Sequence, residues 1–143
     1  MKITVCTLFI LLFSLILSIN GVRQQTVGVR GRFFCGPVAA EKTKVKLWDK
    51  NVIGSDTQLD SKETDSLGNF EVFGGVSSSL TSMNVQLKTY TDCGDGIKPC
   101  QRKIKFGIPN EFITKGPLVD KWFDIGTINL LTRFGDEERS CIN

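Results

Sequence analysis

The chain has 143 residues, with 18 Lys and Arg against 15 Asp and Glu, a formal net charge of +3 and no histidine. So mild a charge excess excludes a nucleic-acid protein that binds by bulk charge. The absence of histidine removes the commonest general base and the commonest zinc ligand.

The first element is "MKITVCTLFILLFSLILSING", where a single Lys2 precedes an apolar stretch from Ile3 to Ile19 and Asn20 and Gly21 close it. This layout predicts a secretory signal peptide over residues 1–21, cut after Gly21, because the stretch falls short of the ~20 residues of a stable span. A signal anchor is the alternative, since the positive flank is thin. The mature chain, residues 22–143, is expected to be one secreted, extracellular domain with no transmembrane segment after cleavage. Cleavage leaves 17 basic and 15 acidic residues, a net charge of +2, and no Asn-x-Ser/Thr glycosylation acceptor occurs. It also removes Cys6 and leaves Cys35, Cys93, Cys100 and Cys141. An even number of cysteines in an oxidising compartment predicts two disulfides. A zinc site would need close Cys pairs or His, and a redox pair would need Cys-x-x-Cys spacing.

From Val27 onward the chain alternates with period two. "VGVRGRFFC" sets Val27, Val29, Gly31, Phe33 and Cys35 against Arg30 and Arg32. "KVKLW" sets Val45 and Leu47 against Lys44, Lys46 and Trp48. "NFEVF" places Phe70 and Val72 on one side, and "VQLKTY" places Val85 and Leu87 opposite Gln86, Lys88 and Tyr90. "RKIKFGI" turns Ile104, Phe106 and Ile108 inward and Lys103 and Lys105 outward. In "WFDIGTINLLTRF" the apolar positions Phe123 and Ile125 are separated from Ile128 and Leu130 by Gly126, which predicts a bulge. "GGVSSSLTSM" (74–83) reads as a crossing loop, and "IPNEFITKGPLVDK" (108–121) holds one helical turn between its prolines. In "TDSLGNF", Asp65 is placed to accept backbone amides two or more residues on, and Gly68 to take a positive φ, delivering Phe70 to the core. A calcium site around Asp60, Glu63 and Asp65 is the competing reading, short of the six or so oxygens such an ion takes. Strands separated by Gly, Asp, Ser and Pro, with no sustained helical period, predict an all-β antiparallel sandwich.

"VGVRGRFFCG", "VKLWD", "TDSLGNF", "DCGDGIKPCQRKIKF", "WFDIGTINL" and "DEERSCI", in this order, resemble the nematode transthyretin-like family of small secreted proteins. The resemblance implies a transthyretin-like (prealbumin-like) β-sandwich of about seven strands, four framework cysteines, secretion and no assigned activity for most members. Fold alone is a poor guide to ligand. The hydrolase branch of the fold resembles itself in active-site histidines and a C-terminal "YRGS". This chain has no histidine and ends "ERSCIN", so none of those positions carries over. Carboxylate pairs from Asp92 and Asp95, or from Asp136, Glu137 and Glu138, fall in turn and tail segments, where a solvated carboxylate has no cause to shift its pKa. The expectation is therefore no catalytic residue, no metal site and no cofactor.

What remains is an extracellular binding or signalling protein. Lys98, Arg102, Lys103 and Lys105, with Arg30, Arg32, Lys44 and Lys46 from other strands, supply a candidate basic recognition face, and Trp48 and Tyr90 add aromatic surface. Such a face suits an anionic lipid headgroup, a sulfated glycan or an acidic receptor patch. The bland reading is that these residues only keep outer sheet faces soluble. A carrier of a small hydrophobic ligand, by analogy with the fold, and an extracellular-matrix component are the alternatives.

Four cysteines allow three pairings, which sequence alone leaves open. "VQLKTYTDC" and "CQRKIKFGI" read as neighbouring antiparallel strands, so Cys93 and Cys100 flank their connecting turn, and the expected bridges are Cys93–Cys100 and Cys35–Cys141. The resemblance supports this, since in transthyretin-like sandwiches the first strand runs parallel to one near the C-terminus.

Overall fold

The computed structural model describes residue 10, residues 24–77 and residues 81–143. The segment expected to be a signal peptide lies, but for Ile10, outside the described residues, as do the serines of 78–80. The alternating segments form strands β1 (Gln25–Cys35), β3 (Lys44–Asp49), β5 (Asn69–Val76), β6 (Val85–Thr91), β7 (Gln101–Gly107) and β9 (Trp122–Asn129). Four more strands join them: β2 (Val38–Ala39), β4 (Thr57–Glu63), β8 (Thr114–Lys115) and β10 (Glu138–Ser140). Seven of the described strands have six residues or more, and the helical turn expected within 108–121 is the 3-10 turn Asn110–Phe112, which follows Pro109. Among the described residues no helix is long and apolar enough to cross a membrane.

The strands make two sheets. In the first, β1 is central, with β5 antiparallel on one side, β9 parallel on the other, and β2 and β8 also paired to β1. The second is antiparallel in the order β10-β7-β6-β3-β4. The inner faces meet in a core that includes Val27, Val29, Phe33, Val45, Leu47, Val72, Leu87, Ile104 and Leu130, all fully buried. Burying large side chains such as these contributes about 1.5–3 kcal/mol each. Phe33 of β1 and Phe70 of β5 stack at 4.8 Å between centroids. The sandwich, and the parallel β1–β9 pair implied by the resemblance, are as expected.

Local features follow from single residues. Asp65 Oδ1 accepts the amides of Leu67 (2.9 Å) and Asn69 (2.8 Å), and Gly68 takes φ +79°. A Cβ on Gly68 would lie 2.2 Å from the Phe33 carbonyl oxygen, so the turn admits only glycine there. Asp60 likewise serves backbone, accepting the amides of Ser61 and Phe73. The bulge falls at Ile125–Gly126, where the β1–β9 register shifts between Arg30 and Arg32 and Gly126 has φ +72°.

The disulfide pairing corrects the sequence reading. The bridges join Cys35 to Cys93 and Cys100 to Cys141. The β6–β7 ladder does pair as expected, ending at Thr91 and Arg102. Beyond it the chain leaves ladder geometry, with Gly94, Gly96 and Cys100 all at positive φ, which turns Cys100 away from Cys93. Buried Cys93 instead reaches across the sandwich to the end of β1, with a Cα separation of 5.7 Å. Cys141 never approaches β1, because β10 crosses to the second sheet and pairs β7 through Ser140 and Gln101. The next positions outward on that ladder are Cys141 and Cys100.

Candidate ligand-binding face

The second sheet turns one set of alternating residues outward. Register places Lys46 of β3 opposite Lys88 of β6, and Lys88 opposite Lys105 of β7. Three lysines thus form one line across three strands, with neighbours separated by about the 4.8 Å strand spacing. The adjacent line holds Lys44, Tyr90, Lys103 and, on β10, Glu138. The Lys88 ammonium sits 4.5 Å over the Trp48 ring, and that of Lys46 5.6 Å from the Tyr90 centroid. Their stems cover the aromatic rings and keep the charged heads at the surface. Burial, reinforced by the charge of Lys50, pulls the Lys88 ammonium below the ordinary lysine value. Burial raises the Tyr90 hydroxyl.

Glu138 closes one end of the face. Its two carboxylate oxygens take Lys103 at 2.5 Å and Lys105 at 2.6 Å. Hydrogen bonds from these lysines hold its carboxyl down at about 2, and the same contact raises Lys105.

The structure brings together only part of the expected basic face. Lys44, Lys46, Lys103 and Lys105 share it, and Lys88 joins them. Lys98 stands in the exposed β6–β7 turn, beyond the ladder. Arg30 and Arg32 lie on the first sheet, where Arg30 pairs Asp124 at 3.2 Å and Arg32 donates to the Leu67 carbonyl while stacking 4.6 Å from Phe34. They line an open cleft of about 590 Å³ together with Asp65, Glu71 and Asp124, so acidic groups offset its arginines.

Arg102 is the main correction. It is 1% exposed and takes no part in any surface. Its parity with Ile104 and Phe106 turns it inward, and its five donors are all used. Nη1 donates to the Cys93 and Leu130 carbonyls, Nη2 to the Thr132 carbonyl, and Nε and Nη2 to the Glu137 carboxylate at 2.9 and 2.6 Å. The Arg102 hydrogen bond draws the Glu137 carboxyl down to about 2. Asp95 is also buried rather than exposed, gripped in bidentate fashion by Arg139, whose hydrogen bond lowers its pKa. Asp92 accepts from Gln101. Of the carboxylates weighed as possible acid–base pairs, Asp95 and Glu137 are thus engaged as fasteners between the β6–β7 turn and the C-terminal segment, whereas Asp136 is exposed. Among the described residues no group of three or more Cys, Asp or Glu is placed to hold a metal ion.

Residues 30–109 match the family model described as TTR-52, transthyretin-like family. Three Caenorhabditis elegans proteins are similar over most of their length. Transthyretin-like protein 33 is 40% identical over 87% of this chain and 87% of its own, and transthyretin-like protein 46 is 39% identical over 94% and 76%. Transthyretin-like protein 5 is 39% identical over 83% and 86%. Among solved structures, a 9R-lipoxygenase from Cyanothece aligns with a TM-score of 0.43 at 18% identity, over 74% of this chain and 16% of its own, too slight a likeness to bear on function.

Proposed function

Because the chain belongs to the transthyretin-like family, we propose that it is a secreted, non-enzymatic binding protein that meets an anionic cell-surface ligand or receptor through the outer face of its second sheet. The observation that carries this reading is the line Lys46–Lys88–Lys105. Like charges directly opposite on neighbouring strands destabilise a sheet, so three in a row carry a cost to folding. An external polyanion turns that cost into affinity. The N-terminal apolar segment and the two disulfides support an oxidising, extracellular setting. The use of Asp95 and Glu137 by arginine forks supports the non-enzymatic reading.

The test compares purified mature protein with Lys46→Glu/Lys88→Glu on immobilised acidic polysaccharide, on anionic vesicles and on cell surfaces, at graded salt. Binding that weakens steeply with ionic strength and is lost in the variant is the expected result. Binding indifferent to both overturns the reading.

A further inference from the structure

Resting on that reading, we infer that Lys103 and Lys105 form the seat for an oxyanion of the ligand, that Glu138 occupies this seat in the free protein, and that the ligand is an acidic polysaccharide whose carboxylate or sulfate displaces it.

The seat is built. Two ammonium groups from alternate positions of β7 converge on the two oxygens of one carboxylate, at 2.5 and 2.6 Å. With Glu138 in place their side chains are recessed, 21% and 22% exposed. The Glu138 side chain is 49% exposed, and water can replace its contacts as it leaves. The chain on either side is pinned. Glu137 is locked to Arg102, Arg139 to Asp95, and Cys141 to Cys100. Rotation of the Glu138 side chain alone therefore frees both lysines while β10 stays on β7. Exposed ion pairs are weak, so a competing anion meets little resistance.

The occupant is argued from shape and chemistry. A carboxylate already fits the seat. From it the charges continue as a line, Lys105 to Lys88 to Lys46, spanning about 10 Å across three strands. A linear chain of spaced anionic groups matches a line of cations better than a single phosphate does. A membrane would call for apolar side chains projecting from the same face. The exposed pair Val52 and Ile53 belongs to the β3–β4 loop, and the face's own aromatics lie under lysine stems.

The experiment measures Kd for a heparin-like polysaccharide, its desulfated and carboxyl-reduced forms, and phosphatidylcholine vesicles containing anionic phospholipid. The proteins are wild type, Glu138→Gln, Lys103→Gln/Lys105→Gln and Lys46→Gln/Lys88→Gln. Glu138→Gln is expected to bind the polysaccharide about two- to fivefold tighter, the yield of removing one exposed competing carboxylate. Lys103→Gln/Lys105→Gln is expected to bind at least tenfold more weakly. Equal affinities for wild type and Glu138→Gln would overturn the displacement, and full binding by Lys103→Gln/Lys105→Gln would overturn the seat. Loss in Lys46→Gln/Lys88→Gln would in either case leave the face reading intact. Binding to vesicles alone would overturn the polysaccharide, and binding to neither would overturn the inference, while salt-sensitive binding to cell surfaces that Lys46→Gln/Lys88→Gln loses would keep the face.

Discussion

Glu137 closes the one side of the Arg102 guanidinium that three backbone carbonyls leave open, with both of its oxygens within 2.9 Å. Arg102 thereby binds the β6–β7 turn to the segment after β9 through Cys93, Leu130 and Thr132. Arg102→Met should destabilise the protein by about 3–5 kcal/mol, because it orphans carbonyls and a carboxylate that the arginine satisfied. Urea unfolding measures this. Glu137→Gln should cost less, since Glu137 keeps partial contact with water. A loss under about 1 kcal/mol for Arg102→Met would mean that the cluster is not fastening the turn.

The same pair sets an acid limit. The Glu137 carboxyl lies at about 2 in the fold against an ordinary 4.5. A depressed folded value contributes stability that is complete above the unfolded value and is lost as pH falls through the folded one. The melting temperature should therefore hold down to about pH 5 and fall between about pH 4.5 and pH 2. In Glu137→Gln the curve should start lower and slope less over that window. Parallel curves for the two proteins would remove Glu137 from the account.

The two bridges close rings of similar size, with sequence separations of 58 and 41. In the chain-entropy model each contributes about 4 kcal/mol, so entropy does not rank them. Environment does. Cys93 is buried between the sheets, whereas Cys141 is exposed. Cys35→Ser/Cys93→Ser should lower the melting temperature more than Cys100→Ser/Cys141→Ser, and mild dithiol treatment should open Cys100–Cys141 first. Non-reducing peptide mapping checks the pairing directly, and a peptide linking Cys93 to Cys100 would contradict it.

Gly68→Ala should destabilise by more than the ~1 kcal/mol that separates glycine from alanine at an unstrained site. Its φ is +79°, and the new methyl would strike the Phe33 carbonyl. Asp65→Ala at the same turn should cost about 1 kcal/mol, the value of a side-chain cap on backbone amides. Thermal unfolding of both variants gives the comparison, and an unaffected Gly68→Ala would show that the turn can rearrange.

Local rules reached much of this structure. Alternation located β1, β3, β5, β6, β7 and β9, because each has one face against the core. The Asp65 turn and the Gly126 bulge were legible because a side chain or a missing Cβ fixes them within a few residues. Strands β4 and β10 were not, since both are edge strands, largely exposed on both faces, and carry no alternation. Missing β10 hid Glu138, and with it the end of the lysine face. Arg102 offered conflicting signals, parity pointing inward and charge outward, and only acceptors some 30 residues away resolve them. The cysteine pairing failed for a related reason. The alternation of β6 and β7 identifies them as neighbours, but the left-handed backbone at Cys100 is a property of the turn as a whole.

The bridges also impose an order in time. Neither ring overlaps the other: the first contains β2 through β6 and ends before the second, holding β7 through β10, begins. Among the four bridged cysteines of a chain that emerges N-terminus first, Cys93 is the earliest that Cys35 can meet, and it is the correct one. The last two cysteines then have only each other. Sequential oxidation therefore leads to the native connectivity without reshuffling, whereas a nested Cys35–Cys141 link would have kept Cys35 waiting, as a reactive thiol, until the final residues appeared.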